Sequence, residues 1–315
     1  MLDAAVARDI ADAFGLGSAA VLSAGPVARG KQGHVWRLDT ADGSWAIKQP
    51  FFATAEADIG QAARFQELAG AAGLPTPRIV RTADGSVLAD IGRGQVRVYE
   101  WVDLLGPDIG LDPVAVGSAV AAAHRVHSTD GDELDLWYRD PVGAAAWDAL
   151  IADLNRADAP FAGRLMAVRD ELIALETWMT PPEALQVCHR DLWADNLLPT
   201  AAGGVCVIDF ENSGLADPNQ ELACVLYEFA GGRPDRAKLL YDAYRDNGGP
   251  GRVERRGDFT MLIAQLGHIG ERACLDWLEP NRRSPDRSDS AAWFAEFVDR
   301  PHHRVVLQEI LDAIG

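Results

Sequence analysis

Apolar and polar positions over the first hundred residues follow two periods. Leu2, Val6, Ile10 and Phe14 recur every four residues, which predicts an amphipathic helix. Residues 34–40 (HVWRLDT) and 44–49 (SWAIKQ) are short β-type runs around Ala41-Asp42-Gly43, and Asp-Gly between such runs signals a hairpin. A helical stretch follows over 56–72, with Phe65 and Leu68 on one side. Gly73 ends it, and Pro75 and Pro77 bar its continuation. Residues 78–91 (RIVRTADGSVLADI) predict a second hairpin turning at Asp84-Gly85, and 94–102 (GQVRVYEWV) a further strand. The expected result is a small, mostly antiparallel sheet with one inserted helix.

Beyond Trp101 the pattern becomes helical. Asp112-Pro113 supplies an N-cap and a first-turn proline for an alanine-rich helix, and helix continues to about residue 180. Residues 187–210 return to short apolar strands around a turn, and most of the remainder is helical. The polar run 279–290 (EPNRRSPDRSDS) reads as a mobile loop. A chain of 315 residues can build two cores, and the change of character divides it into 1–100 and 101–315.

Composition narrows the class. Hydrophobic content of 48% and charged content of 24% are ordinary for a soluble globular protein. No apolar run approaches the roughly 20 residues needed to span a bilayer. The first residues, carrying Asp3, Asp9 and Asp12, are no secretory signal, so a cytoplasmic location is expected. Cys188, Cys206, Cys224 and Cys274 have no metal-ligand spacing and read as buried reduced thiols. The 47 acidic and 29 basic residues give a net charge of −18, which disfavours nucleic acid as a partner and would attract a small cation.

The chemistry concentrates in residues 189–211, HRDLWADNLLPTAAGGVCVIDFE. Asn196 lies five residues after Asp191, and Asp209 thirteen after Asn196. Phosphoryl transfer needs a base beside the attacking hydroxyl and hard oxygen ligands to hold Mg²⁺ against the phosphates. Asp191 fits the base, and Asn196 with Asp209 the metal ligands. Upstream, ARGKQGHV matches a phosphate-binding glycine loop at Gly30, Gly33 and Val35, with Ala28 at the first glycine position. WAIK then places Lys48 on a strand as a point charge for phosphate.

Together these segments resemble the kinase-fold phosphotransferases that include aminoglycoside phosphotransferases and choline, homoserine and methylthioribose kinases. Asp209-Phe210-Glu211 stands where a protein kinase has Asp-Phe-Gly, and NSGLADPNQELA follows at once, similar to that family's closing D-P-x-x-D-L-A. The pattern G-x-x-x-A-x-x-H-x-x-H from Gly117 to His127 is also similar to a family helix. The resemblance implies a protein-kinase-like two-lobed α+β fold, with a small antiparallel lobe and a larger helical one. It implies ATP in the cleft, its adenine along Glu100, Trp101 and Val102. The implied reaction is transfer of the γ-phosphate to a hydroxyl of a small cationic molecule. An aminoglycoside-like antibiotic is the first reading of that acceptor and a metabolic alcohol or amino sugar the second; a nucleotide-binding pseudokinase is the third reading of the protein itself.

Two positions depart from the family pattern. Gln61 stands where members place the glutamate that pairs with the strand lysine, leaving Gln61 as the expected partner of Lys48 with Glu56 and Asp58 nearby. Glu221 stands where D-L-A has its aspartate. His124 and His127, three apart on a helix, lack a third metal ligand and read as packing or hydrogen-bonding groups. Arg190 is expected to be structural. Trp193 either lines the substrate mouth or packs. Residues 128–141 lack a calcium-loop register, and their acids are either a solvated loop or a rim that attracts a cation. The acids that would select the acceptor are Asp132, Glu133 and Asp135 in that loop, with Glu271 and Asp276 farther on.

Overall fold

β-Branched and aromatic alternation builds the longest hairpin of the protein, whose computed structural model describes residues 6–30, 33–131, 133–279, 287–299 and 303–315. In chain order the first elements are α1 (Ala7–Phe14), β1 (Val21–Leu22), β2 (Ala28–Arg29), β3 (Gly33–Thr40), β4 (Gly43–Pro50) and α2 (Glu56–Ala71). Then come β5 (Ile79–Val80), β6 (Ala89–Asp90), β7 (Gln95–Glu100), α3 (Pro113–His124), α4 (Ala144–Arg156) and α5 (Ala162–Glu176). The rest are β8 (Gln186–Cys188), β9 (Leu197–Pro199), β10 (Val205–Val207), β11 (Gly214–Ala216), α6 (Pro218–Ala230), α7 (Pro234–Asp246), α8 (Thr260–Leu278), α9 (Arg287–Asp299) and α10 (Arg304–Ile314).

β3 and β4 pair from Gly33↔Pro50 to Thr40↔Gly43, so the turn falls where Asp42-Gly43 predicts it. The sheet runs β1-β3-β4-β7-β5, with β2 on β3 and β6 on β7, and every pair is antiparallel. Trp36, Leu38, Ile47, Val96 and Val98 fill one face together with Ile10 and Phe14 of α1. That helix ends at Gly15, which takes the left-handed conformation at φ +63°. Leu2 lies outside the described residues.

The segment 78–91 turns at Asp84-Gly85 as expected, closed by Gly85 N–H to Thr82 O at 2.9 Å. Its arms do not pair with each other: β5 and β6 each add to β7 instead. The reason lies on α2, where the Glu56 carboxylate accepts from Val87 N–H at 2.8 Å and Leu88 N–H at 3.2 Å. With those two donors taken, pairing of the arms stops at the turn itself, where Thr82 N–H reaches Ser86 O at 2.9 Å.

Two compact units result. The first runs to Asp108 and takes in Ala194–Ser213; the second comprises Ile109–Trp193 and the chain from Gly214 onward. The division expected at residue 100 therefore falls eight residues later, and β9 and β10 belong with the sheet unit. Backbone bonds explain this: Ala201 N–H reaches Asp103 O, Leu105 N–H reaches Pro199 O, and Val207 N–H reaches Pro75 O, each at 2.8 Å.

In the second unit Asp112 caps α3 through Val114 N–H at 3.2 Å, with Pro113 in the first turn. Gly117 faces Leu240 O so closely that a β-carbon would sit 2.3 Å away, which lets α3 and α7 pack backbone to backbone. β8 and β11 pair antiparallel from Gln186↔Ala216 to Cys188↔Gly214, framing the loop that follows His189. Residues 280–286 of the expected loop lie outside the described residues, while 287–290 already belong to α9. All four cysteines are buried and free, and burial pushes the Cys206 thiol up to about 12.

Candidate active site

The sheet unit carries Lys48, expected to meet phosphate, and the expected metal ligands Asn196 and Asp209. Gly30 N–H closes on Gly33 O at 2.9 Å, forming the β2–β3 loop expected to approach phosphate. Only Gly33 is demanded by space, since a β-carbon there would lie 2.4 Å from Gln49 O. Lys48 is mostly buried, and its ammonium meets Asp209 Oδ1 at 2.9 Å and Glu211 Oε1 at 2.5 Å. Burial works against that charge, but Asp209 and Glu211 more than offset it and hold the lysine above its ordinary pKa.

Asp209 sits at φ +62° and ψ +60°, a left-handed conformation that aspartate tolerates better than most side chains. β10 leads into it, and Ile208 N–H donates to Asn196 O at 2.9 Å, tying the segments of the two expected metal ligands together through the backbone. A carboxylate and an amide oxygen are donor types suited to a hard divalent cation. Glu211, two residues on, receives Arg97 Nη2 at 2.5 Å on the same oxygen that receives Lys48. Burial and the adjacent Asp209 push the Glu211 carboxyl above its ordinary range, against the pull of both cations.

Gln61, the expected partner of Lys48, is exposed on α2, and the lysine instead meets Asp209 and Glu211. The buried face of α2 presents Ile59, Ala62, Ala63, Phe65 and Gln66, and Phe65 meets Phe210 edge-on at 5.8 Å. Glu56 serves the 87–88 backbone; the side chain of Asp58 lies outside the described residues. Reading Gln61 from motif spacing alone missed Glu211. The signal was the glutamate standing in Asp-Phe-Glu where a protein kinase has glycine.

The strand end expected to bind adenine is well ordered by hydrogen bonds. Glu100 N–H donates to Arg78 O at 2.8 Å, and Trp101 N–H to Ser44 O at 3.1 Å. Trp101 Nε1 donates to Asp103 at 2.7 Å, and the Arg37 guanidinium lies 4.9 Å from its ring. Val102 follows, partly buried.

The helical unit holds the segment His189–Trp193, which includes the expected base Asp191. Glu221, only 1% exposed, accepts from the backbone N–H of His189 at 3.3 Å, from that of Arg190, and from His124 Nε2 at 2.8 Å. Tyr244 Oη accepts from Gly251 N–H at 2.8 Å and donates to His124 Nδ1 at 2.9 Å, which sets the imidazole proton on Nε2 toward Glu221. Burial alone would raise the Glu221 carboxyl; the His124 and Arg190 hydrogen bonds bring it below the ordinary glutamate value. His124 is thus a hydrogen-bonding core residue, as its spacing implied.

Arg190 is the structural residue expected. It has φ +63°, its guanidinium lies 4.5 Å from the Tyr138 ring and packs on Gly214, and its carbonyl accepts from Gln265 Nε2 at 2.8 Å. Those contacts hold the backbone from which half-buried Asp191 and Trp193 project. Of the acids expected to meet an acceptor, Asp132 lies outside the described residues and Glu133 and Asp135 are exposed. Asp135 also caps Trp137 N–H at 2.9 Å. Glu271 pairs with His268 at 3.0 Å and buried Asp276 with Arg272 at 2.5 Å, so both already have cationic partners within α8.

No curated protein matches the sequence. Among solved structures, a spectinomycin phosphotransferase bound to ADP and spectinomycin superposes with a TM-score of 0.63 at 14% identity, covering 97% of this chain and 98% of that one. An aminoglycoside phosphotransferase from Alicyclobacillus acidocaldarius gives 0.57 at 19% identity, covering 92% and 91%. Choline kinase LicA from Streptococcus pneumoniae gives 0.58 at 17% identity, covering 94% and 96%. The fold is therefore the protein-kinase-like one. The family model described as the phosphotransferase enzyme family matches residues 24–257, which hold the glycine loop, Lys48, the His189–Asp191 loop and Asp209. The chain belongs to that phosphotransferase enzyme family, and it is an ATP-dependent kinase of small molecules.

Proposed function

We propose that this kinase phosphorylates a hydroxyl of a small cationic compound, of aminoglycoside-like chemistry, using Mg·ATP. In this reading Asp191 accepts or orients the proton of the attacking hydroxyl. Lys48 and the backbone of the Gly30–Gly33 loop hold the phosphates, and Glu100 to Val102 line the adenine. The Asn196 amide oxygen and the Asp209 carboxylate would hold the metal. Bound Mg²⁺ supplies neutralisation of the charge that develops on the transferring phosphoryl group. Arg190, locked by Tyr138, Gln265 and Glu221, fixes the loop from which Asp191 works.

One observation carries the choice of acceptor. Residues 101–150 contain nine acids (Asp103, Asp108, Asp112, Asp130, Asp132, Glu133, Asp135, Asp140 and Asp148) against Arg125 and Arg139 alone. Exposed Glu133 and Asp135 are available to a cation, whereas Glu271 and Asp276 are already engaged. Trp193, partly exposed beside Asp191 in sequence, adds an aromatic face of the kind that attracts cationic groups. The test is ATP turnover across aminoglycosides, amino sugars, choline-like alcohols and neutral polyols, joined to growth of an expressing strain on the antibiotics. Turnover confined to neutral alcohols would remove the cationic reading, and turnover without a growth advantage would favour a metabolic substrate.

A further inference from the structure

β4 and β7 put two cations side by side. Lys48 and Arg97 are direct partners in the antiparallel register, and their side chains are only 14% and 6% exposed. Strand alternation explains why they share a face: Val96 and Val98 fill the core of the sheet, so Arg97 turns the other way. Like charges directly opposite on a sheet repel. Here one oxygen, Glu211 Oε1, receives Lys48 Nζ and Arg97 Nη2 at 2.5 Å each. Arg97 and Glu211 also line a small cavity with Ala62, Ala63 and Gln66 of α2, and among the described side chains no carboxylate of that helix lines it.

We propose that Glu211, anchored by Arg97, is the positioning residue for Lys48, in the role that a glutamate on the neighbouring helix would otherwise fill. Geometry supports a division of labour. Arg97 pins the glutamate from the strand beside Lys48, and Glu211 then holds the ammonium next to Asp209, which it meets at 2.9 Å. All four residues sit on paired strands or in the turn after β10, so the ion pairs that hold the ammonium come from those segments. The inference rests on reading Lys48 as the lysine that meets phosphate, and it is independent of the acceptor's identity.

The experiment compares wild type with Glu211→Gln, Arg97→Met and the double variant. It measures Mg·AMP-PNP affinity by calorimetry, ATP turnover at saturating nucleotide, and the melting temperature without nucleotide. Glu211→Gln keeps the side chain's shape and removes only the charge. Both single variants are expected to weaken nucleotide binding and lower turnover on the order of 10- to 100-fold, the usual cost of losing a supporting partner. The double variant should lose no more than either single one, because the two residues act through one contact. A buried pair that merely held the sheet would move the melting temperature and leave nucleotide affinity and turnover of the folded enzyme unchanged, which would overturn the proposal. If a single variant fails to fold, the double variant decides, since it removes both buried charges together; wild-type kinetics there would equally overturn it. Wild-type protein that fails to bind Mg·AMP-PNP would defeat the phosphate-lysine reading and this inference with it. Normal wild-type binding with unchanged variants would defeat this inference alone.

Discussion

Single residues at this site are held by backbone as much as by side chains. Asp209 and Arg190 both adopt left-handed conformations, at φ +62° and φ +63°, and each stands next to or at a residue assigned to the chemistry. Asp191, as the base, predicts that Asp191→Ala lowers turnover by about 10²- to 10⁴-fold while Mg·ATP affinity stays within a few-fold, measured by single-turnover kinetics and calorimetry. Glu221 predicts a different failure. Glu221→Ala strands two backbone N–H groups and the His124 ring in a dry interior, so stability should fall by about 3 kcal/mol or more, read from denaturant unfolding. Lys48, Asp191, Asn196 and Asp209 are the residues a sequence can propose, because phosphoryl transfer demands such groups at such intervals, and the structure brings Lys48 and Asp209 together at 2.9 Å. The role of Glu211 was not legible, because strand register sets Arg97 beside Lys48 and the ion pair from Arg97 to Glu211 joins residues more than a hundred apart. The near-aspartate position of Glu221 was legible as an identity but not as a clamp on the loop backbone.

Elements were legible where one hydrophobic period ran uninterrupted. The β3–β4 hairpin and α2 fall within a residue or two of their expected bounds, because alternation, Asp-Gly and Gly73 all point the same way. The 78–91 hairpin failed for a reason no local pattern carries: a glutamate on α2 captured its backbone donors. The acidic run 128–141 likewise gains order from outside itself. Its Trp137 stacks on His268 at 5.3 Å, and Tyr138 lies under Arg190. His268 Nδ1 faces Glu271 at 3.0 Å and Nε2 faces the Asp140 carbonyl at 3.0 Å, so both ring nitrogens are placed to donate. Glu271 first, and Asp140 with it, raise the His268 pKa above its ordinary 6.5 despite partial burial. A histidine raised in the folded state contributes stability that is complete below pH 6.5 and is lost as pH rises through the folded value. The melting temperature of wild type, minus that of His268→Gln, should therefore shrink on going from pH 6 upward. A flat difference across that window would show that the loop does not depend on the charged ring.

At the scale of the whole molecule the dominant fact is the charge of −18, and its consequence is a conflict. ATP is anionic, so the field that draws a cationic acceptor opposes the nucleotide. The buried cations Lys48 and Arg97 answer this only in part, because Glu211 takes both of them. The glycine-loop amides and a bound metal must offset the remainder locally. On the proposed reading the acceptor would meet the opposite balance, with exposed Glu133 and Asp135 and few basic residues between 101 and 150. Screening separates the two ligands. The Debye length falls from about 10 Å at 0.1 M salt to about 3 Å at 1 M. The KM of a cationic acceptor should rise with salt, that of a neutral analogue much less, and that of Mg·ATP should hold or fall. Replacing Asp132, Glu133 and Asp135 together by Asn or Gln should raise the acceptor KM at low salt and flatten its salt dependence, with kcat unchanged. Those three positions are suited to the test because none is assigned to nucleotide or to the base, and because Glu271 and Asp276 are committed to His268 and Arg272. If the triple variant and added salt both leave KM unchanged, the acidic surface serves solubility alone, and the cationic reading of the acceptor falls with it.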